Sequence, residues 1–231
     1  MKALLFDIDG TLVRCHGAGK SALMEAARET YGTFGTMDSY DFQGRTDPII
    51  IRESLSGNGL DEAAIARGLP RMKVRYFELL ARNIASTGVE VLPGVGELLE
   101  KLSGLDGVIL GLLTGNYEEG ARIKLATGGL FEYFSFGAYG DDAAVRNDLP
   151  AVAKERLRSR FNLDLPYRDI IIIGDTVHDI ACAKHTGAVS VAVGTGWAGR
   201  EVLLAREPDF YFDDLGDTEE VVGWLIGNCC N

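Results

Sequence analysis

The chain has 231 residues, 46% of them hydrophobic and 25% charged, and a net charge of −11. That length is ample for a hydrophobic core, as one large domain or as a core with a smaller insert, and the composition excludes a disordered chain. The negative field excludes nucleic acid as a natural partner because it repels phosphate backbones, and no apolar run approaches the length of a membrane span.

The first apolar run, Ala3-Leu4-Leu5-Phe6, is a short strand that Asp7 ends too early for a secretory signal. The pattern then turns helical from about Lys20 to Thr30, with Leu23, Ala26 and Ala27 at core-facing spacing. A second helix is predicted from Pro48 to Leu55, since proline suits a first turn. A third runs from about Asp61 to Ile84, with a break expected at Gly68-Leu69-Pro70. From Val91 strands and helices alternate. Pro93-Gly94-Val95 opens a helix to about Leu102, and strands follow near 108–113, 134–138, 170–173, 189–193 and 209–212. Wholly apolar, β-branched runs of this kind belong to a parallel sheet covered on both faces. The fold class is therefore α/β: a Rossmann-like, doubly wound parallel sheet interrupted by an inserted α-helical cap. The core takes residues 1–13 and 87–231, and the cap takes 14–86. Cys15, Cys182, Cys229 and Cys230 form no CxxC or Cys/His spacing, which predicts a reducing, cytoplasmic setting.

Three of these runs end in polar clusters. Asp7-Ile8-Asp9-Gly10-Thr11 follows the first, Thr114-Gly115-Asn116 the run Val108 to Leu113, and Gly174-Asp175-Thr176 the run Ile170 to Ile173, with Asp179 one turn on. Ligands of doubly wound sheets bind beyond the carboxyl ends of the strands, so the clusters should converge. Gathered carboxylates need a compensating cation, and a few oxygen ligands shared with phosphate suit Mg²⁺. Asp7 can be both ligand and nucleophile, because a carboxylate forms an aspartyl-phosphate. Thr114, the amides of Gly115 and Asn116 and a nearby cation can hold the phosphoryl oxygens.

These motifs resemble those of the haloacid dehalogenase-like hydrolases. Asp7-Ile8-Asp9-Gly10-Thr11 is similar to the family's first motif, Leu113-Thr114-Gly115-Asn116 to its second, and Gly174-Asp175-Thr176-Val177-His178-Asp179 to its fourth. The resemblance covers nearly the whole chain. It implies an Mg²⁺-dependent phosphatase working through an aspartyl-phosphate on Asp7, with Asp9 protonating the leaving group and then activating water. Asp7, Asp9, Asp175 and Asp179 are the expected metal set, Asp175 as a direct ligand and Asp179 as support for the metal or its waters. In this family a cap between the first two motifs closes over the site and selects the substrate.

The third motif departs from the family pattern, which has a lysine. Here the matching stretch, Gly140 to Pro150, offers Arg146, whose planar fork suits two phosphate oxygens. The alternatives are that Arg146 is a solvated loop residue, or that Lys124 or Lys154 fills the role; Lys154 falls two turns into a helix starting near Leu149. In the cap, Gln43-Gly44-Arg45-Thr46-Asp47 resembles the cap loop of phosphoglycolate-phosphatase-like members. Arg45 there is a candidate for a substrate carboxylate, while Thr46 or Asp47 caps the helix at Pro48. Gly17-Ala18-Gly19-Lys20-Ser21 ends like a P-loop, but Arg14 stands where the first glycine belongs, and a hinge into the cap is the better account. The expected partner is a small phosphorylated metabolite, the chain acting as a monomer or homodimer. A phosphosugar mutase shares the acidic motifs. A dehalogenase fits less well because Asp9 is present, and a receiver-like phospho-acceptor less well because of the length and the insert.

Overall fold

Alternating residues of the first strand bury in opposite layers, as a strand covered on both faces requires. Leu4 and Phe6 enter one apolar cluster with Leu110, Leu112, Ile171 and Ile173, while Ala3 and Leu5 enter another with Leu113, Ile170 and Ile172. The computed structural model describes residues 1–227; Cys229 and Cys230 lie outside the described residues.

The elements in chain order are β1 (Lys2–Phe6), β2 (Val13–Arg14), α1 (Ala18–Tyr31), α2 (Asp47–Ser56), α3 (Glu62–Thr87), β3 (Glu90–Val91), α4 (Val95–Ser103), β4 (Val108–Leu113) and α5 (Glu118–Thr127). They continue as β5 (Phe136–Ala138), α6 (Leu149–Phe161), β6 (Ile170–Gly174), α7 (Val177–Thr186), β7 (Val189–Val193), α8 (Arg200–Leu204), β8 (Phe210–Phe212) and α9 (Thr218–Gly227). Six strands form one sheet in the order β5-β4-β1-β6-β7-β8. Every pairing in it is parallel. The α/β, doubly wound class expected from the apolar runs is thus the observed one.

Strand order runs outward from β1 in both directions, through β4 to β5 and through β6 to β8. The carboxyl ends of β1, β4 and β6 therefore lie side by side at the reversal, where such sheets bind ligands. Buried residues of α6 and α7, among them Leu149, Ala153, Leu157, Cys182 and Ala183, cover one face. Leu98, Leu99 and Leu102 of α4 and Val221 and Leu225 of α9 bury in the cluster on the other. Each such leucine contributes about 1.5–3 kcal/mol on leaving water.

Between β1 and β4 the chain forms α1, α2 and α3, flanked by the antiparallel pair β2 and β3, in which Val13 faces Val91 and Arg14 faces Glu90. The break expected at Pro70 does not occur: α3 runs unbroken from Glu62 to Thr87 with Pro70 inside it. Packing supplies the reason. Gly68 leaves room for the Tyr31 ring of α1, a space that any Cβ would fill. The Tyr31 hydroxyl donates to the Ile65 carbonyl at 2.7 Å, which pins α1 to α3 just before the proline.

Candidate active site

Asp7 continues the line of β1: its N–H donates to the Ile173 carbonyl at 2.9 Å, which fixes the residue beside the end of β6. Gly10 then turns the chain with φ of 87°, a left-handed conformation natural to glycine. A Cβ at Gly10 would also collide with the Asp175 carboxylate. The Thr11 hydroxyl donates to Asp175 Oδ1 at 2.9 Å and ties the first motif to the fourth.

Asp7, Asp175 and Asp179 are all buried, and one oxygen from each lies within 4.8 Å of the others. Asp179 is held by the first turn of α7, where its Oδ2 accepts the Thr176 N–H at 3.0 Å and the Thr176 hydroxyl at 2.6 Å. Burial pushes the Asp7 carboxyl up to about 6; the Arg146 guanidinium pulls the other way, and Asp179 adds to the rise. Asp175 is raised well above the ordinary carboxylate range, first by burial and then by Asp7 and Asp179. Three oxygen donors that repel one another in a dry pocket fit a hard divalent cation.

Arg146 opens the short turn before α6 and is buried, so it is not a solvated loop residue. Its Nη2 lies 3.2 Å from Asp7 Oδ1 and 2.5 Å from Asp179 Oδ1. The same guanidinium donates to the Gly44 carbonyl through Nη1 at 3.2 Å, joining the core site to the loop before α2. Lys154 points elsewhere, to Asp164 at 3.0 Å. Lys124 does reach the site, but at Asp9 rather than Asp7, with Nζ 2.5 Å from Asp9 Oδ2. Asp9 itself stands apart from the three clustered carboxylates, its side chain 45% exposed to the cavity. Thr114 is buried at the end of β4, with its hydroxyl accepting from Asn116 Nδ2 at 2.8 Å. Gly115 lies against the backbone of Arg45, where a Cβ has no room, and its carbonyl accepts the Asp47 N–H at 2.8 Å.

A family model described as haloacid dehalogenase-like hydrolase matches residues 4–193. The chain belongs to that family. A phosphoglycolate phosphatase of Synechococcus elongatus is 25% identical to it, covering 98% of this chain and 99% of its own. Another, from Pseudomonas syringae pv. tomato, is 28% identical over 93% of this chain and 77% of its own. Among solved structures, a hydrolase from Pseudomonas syringae shares the fold with a TM-score of 0.74 at 19% identity, covering 97% of this chain and 99% of its own. The protein is a hydrolase whose curated relatives are phosphatases, as the motif order implied.

In this haloacid dehalogenase-like hydrolase Asp7, Asp9, Arg146 and Asp175 floor a cavity of about 410 Å³. Its other walls come from the segment between β2 and α2, with Lys20, Tyr40, Phe42 and Arg45, and from Trp197 after β7. Arg45 lines this space but is engaged locally, 3.5 Å from Glu53 and with its guanidinium 5.4 Å from the Tyr40 ring centre. Thr46 caps α2, its hydroxyl accepting the Ile49 N–H at 3.4 Å and donating to the Ala144 carbonyl at 2.6 Å. Gly17, Gly19 and Lys20 of the P-loop-like stretch face the same cavity. Two buried ionisable residues take places in this site that the sequence did not assign to them, Asp47 against the β4–α5 turn and Lys124 at Asp9 rather than Asp7. Asp47 accepts the Tyr117 N–H at 2.9 Å, and burial pushes its carboxyl up to about 6. Lys124 carried a legible signal: with Gly120, Ala121 and Leu125 it lies on the buried stripe of α5, where an unpartnered lysine does not belong.

Proposed function

We propose that this hydrolase cleaves a small phosphate monoester through an aspartyl-phosphate on Asp7, with Mg²⁺ held by Asp7, Asp175 and Asp179. The observation that carries this reading is the buried carboxylate trio with the Arg146 guanidinium against Asp7. When bound, Mg²⁺ supplies charge that neutralises the phosphoryl oxygens and draws electron density from phosphorus.

The chain's own groups account for the rest. An Asp7 oxygen attacks phosphorus as the bond to the leaving oxygen breaks. Arg146 and the Thr114 hydroxyl, with the Gly115 and Asn116 amides, hold the non-bridging oxygens at the ends of β4 and β6. Asp9, two residues on and open to the cavity, gives its proton to the leaving alcohol and afterwards takes one from the water that opens the aspartyl-phosphate. The segment 14–86 acts as a cap over the core of 1–13 and 87–231, and its closure excludes bulk water. Support for closure is that the Gly44 carbonyl, the Thr46 hydroxyl and the Asp47 N–H all bond to core residues.

A phosphorylated hydroxy acid such as phosphoglycolate is the substrate class favoured by the curated relatives. The deciding experiment is a screen of phosphorylated metabolites with and without Mg²⁺, following phosphate release. Metal-dependent release supports the reading. Conversion of a phosphosugar to its isomer without free phosphate would replace it with a mutase, and turnover unaffected by excess chelator would remove the metal.

A further inference from the structure

Lys124 is a buried cation that the phosphoryl-transfer scheme above does not use. Its side chain is 5% exposed, on a helix that contributes none of the clustered carboxylates. Burying an ammonium costs several kcal/mol unless it is paired and hydrogen-bonded. Here Nζ donates to Asp9 Oδ2 at 2.5 Å and to Asn116 Oδ1 at 2.7 Å. Asn116 completes the triangle, its Nδ2 donating to the same Asp9 Oδ2 at 2.9 Å and to the Thr114 hydroxyl at 2.8 Å. Desolvation works against the Lys124 charge, yet Asp9 and its neighbours hold the ammonium above its ordinary range.

The two oxygens of Asp9 are therefore unequal. Oδ2 receives two donors, whereas Oδ1 has no hydrogen-bond partner among the described residues. We infer that Lys124 is a positioning residue that, together with Asn116, holds the Asp9 carboxyl by Oδ2 and so leaves Oδ1, which has no partner among the described residues, for the leaving oxygen. This rests on the acid–base role given to Asp9 above. In the transfer step the Oδ1–H bond breaks and its proton joins the leaving oxygen. That oxygen keeps the electron pair of the broken P–O bond, phosphorus bonds to Asp7, and the charge left on Asp9 is met by Lys124.

A purely space-filling lysine and a positioning one differ in how they treat leaving groups. Lys124→Met keeps the length and removes the charge. It is compared with wild type on an alkyl phosphate, whose alkoxide needs a proton, and on 4-nitrophenyl phosphate, whose phenolate leaves without one. The expected result is a loss of kcat/KM of about 10²-fold on the alkyl ester, with only a small loss on the nitrophenyl ester. Lys124→Arg should return part of the alkyl activity. Equal losses on both esters, or none on either, would overturn the inference. If Lys124→Met does not fold, Lys124→Gln serves for the same comparison. Asp9→Asn separates the two levels: leaving-group selectivity in Asp9→Asn but not in the Lys124 variants overturns this inference alone, and its absence in Asp9→Asn removes the acid role with it.

Discussion

Asp7 and Arg146 sit against each other with 6% of each side chain exposed, so every change to either is felt at full strength. Asp7→Asn keeps the shape and cannot attack phosphorus; we expect folded protein with turnover abolished, measured as phosphate release after removal of trace wild type. Asp9→Asn should cost at least about 10²-fold, the usual scale of general acid–base catalysis. Arg146→Ala should lower kcat/KM by the equivalent of about 2–4 kcal/mol, as for other charge-stabilising groups. Arg146→Lys should recover part of this, because the charge returns beside Asp7 and Asp179 without the second guanidinium nitrogen, which holds the Gly44 carbonyl. A Lys154→Ala variant more damaging than Arg146→Ala would mean that the arginine contact with Asp7 has no catalytic weight. Asp7, Asp175 and Thr114 were legible from sequence because each follows an apolar run that admits no other place for it. For Lys124 the buried stripe marked a cation in need of a partner, but the partner itself was not legible, because Lys124 meets Asp9 across 115 residues.

The start of α2 makes a buried contact whose strength depends on pH. Asp47 stands in the first turn of α2 and is buried against the Tyr117 N–H, with its carboxyl ionising at about 6 in the folded chain against 3.8 when free. Between those values the folded chain holds more protons than the unfolded one. Its contribution to stability therefore falls as pH rises through that window and levels off above it. Asp47→Asn removes the titration while leaving an oxygen for Tyr117. The variant should gain on wild type by on the order of 1–3 kcal/mol between pH 4 and pH 7, read from urea unfolding at each pH. A difference that stays constant with pH would show that burial of this carboxylate does not set the slope. Element boundaries were largely legible: β4 and β7 match the apolar runs, and α1 and α2 start within two residues of their signals. The continuity of α3 was not, because it depends on Tyr31 reaching it from another helix.

At the scale of the molecule, three carboxylates that repel one another mean that a cation bound among them would stabilise the fold. A ligand that binds only the folded chain stabilises it by about 2.7 kcal/mol at a hundredfold excess over its dissociation constant. Adding Mg²⁺ to metal-free protein should therefore raise Tm, and Asp175→Asn should abolish most of the rise; an unchanged Tm would argue against the trio as a metal centre. Chelation should stop turnover reversibly, and Ca²⁺ should inhibit, since its longer bonds and looser shell misplace phosphorus relative to Asp7. The overall class was legible because the central strands are almost wholly apolar runs, whereas the pairing order was not written in any single run.

That order has a consequence for how the protein is made. β1 is the middle of the sheet, yet both its neighbours, β4 and β6, are encoded far downstream. At typical synthesis rates of roughly 5–20 residues per second, the segment Lys2–Phe6 leaves the ribosome and waits about ten seconds or more before the second edge of its backbone finds a partner. Through that interval it is a strand leading into Asp7 with at least one open edge. A product truncated anywhere before Ile170 would contain Asp7 but neither Asp175 nor Asp179, and so could neither assemble the centre nor shield its most aggregation-prone strand.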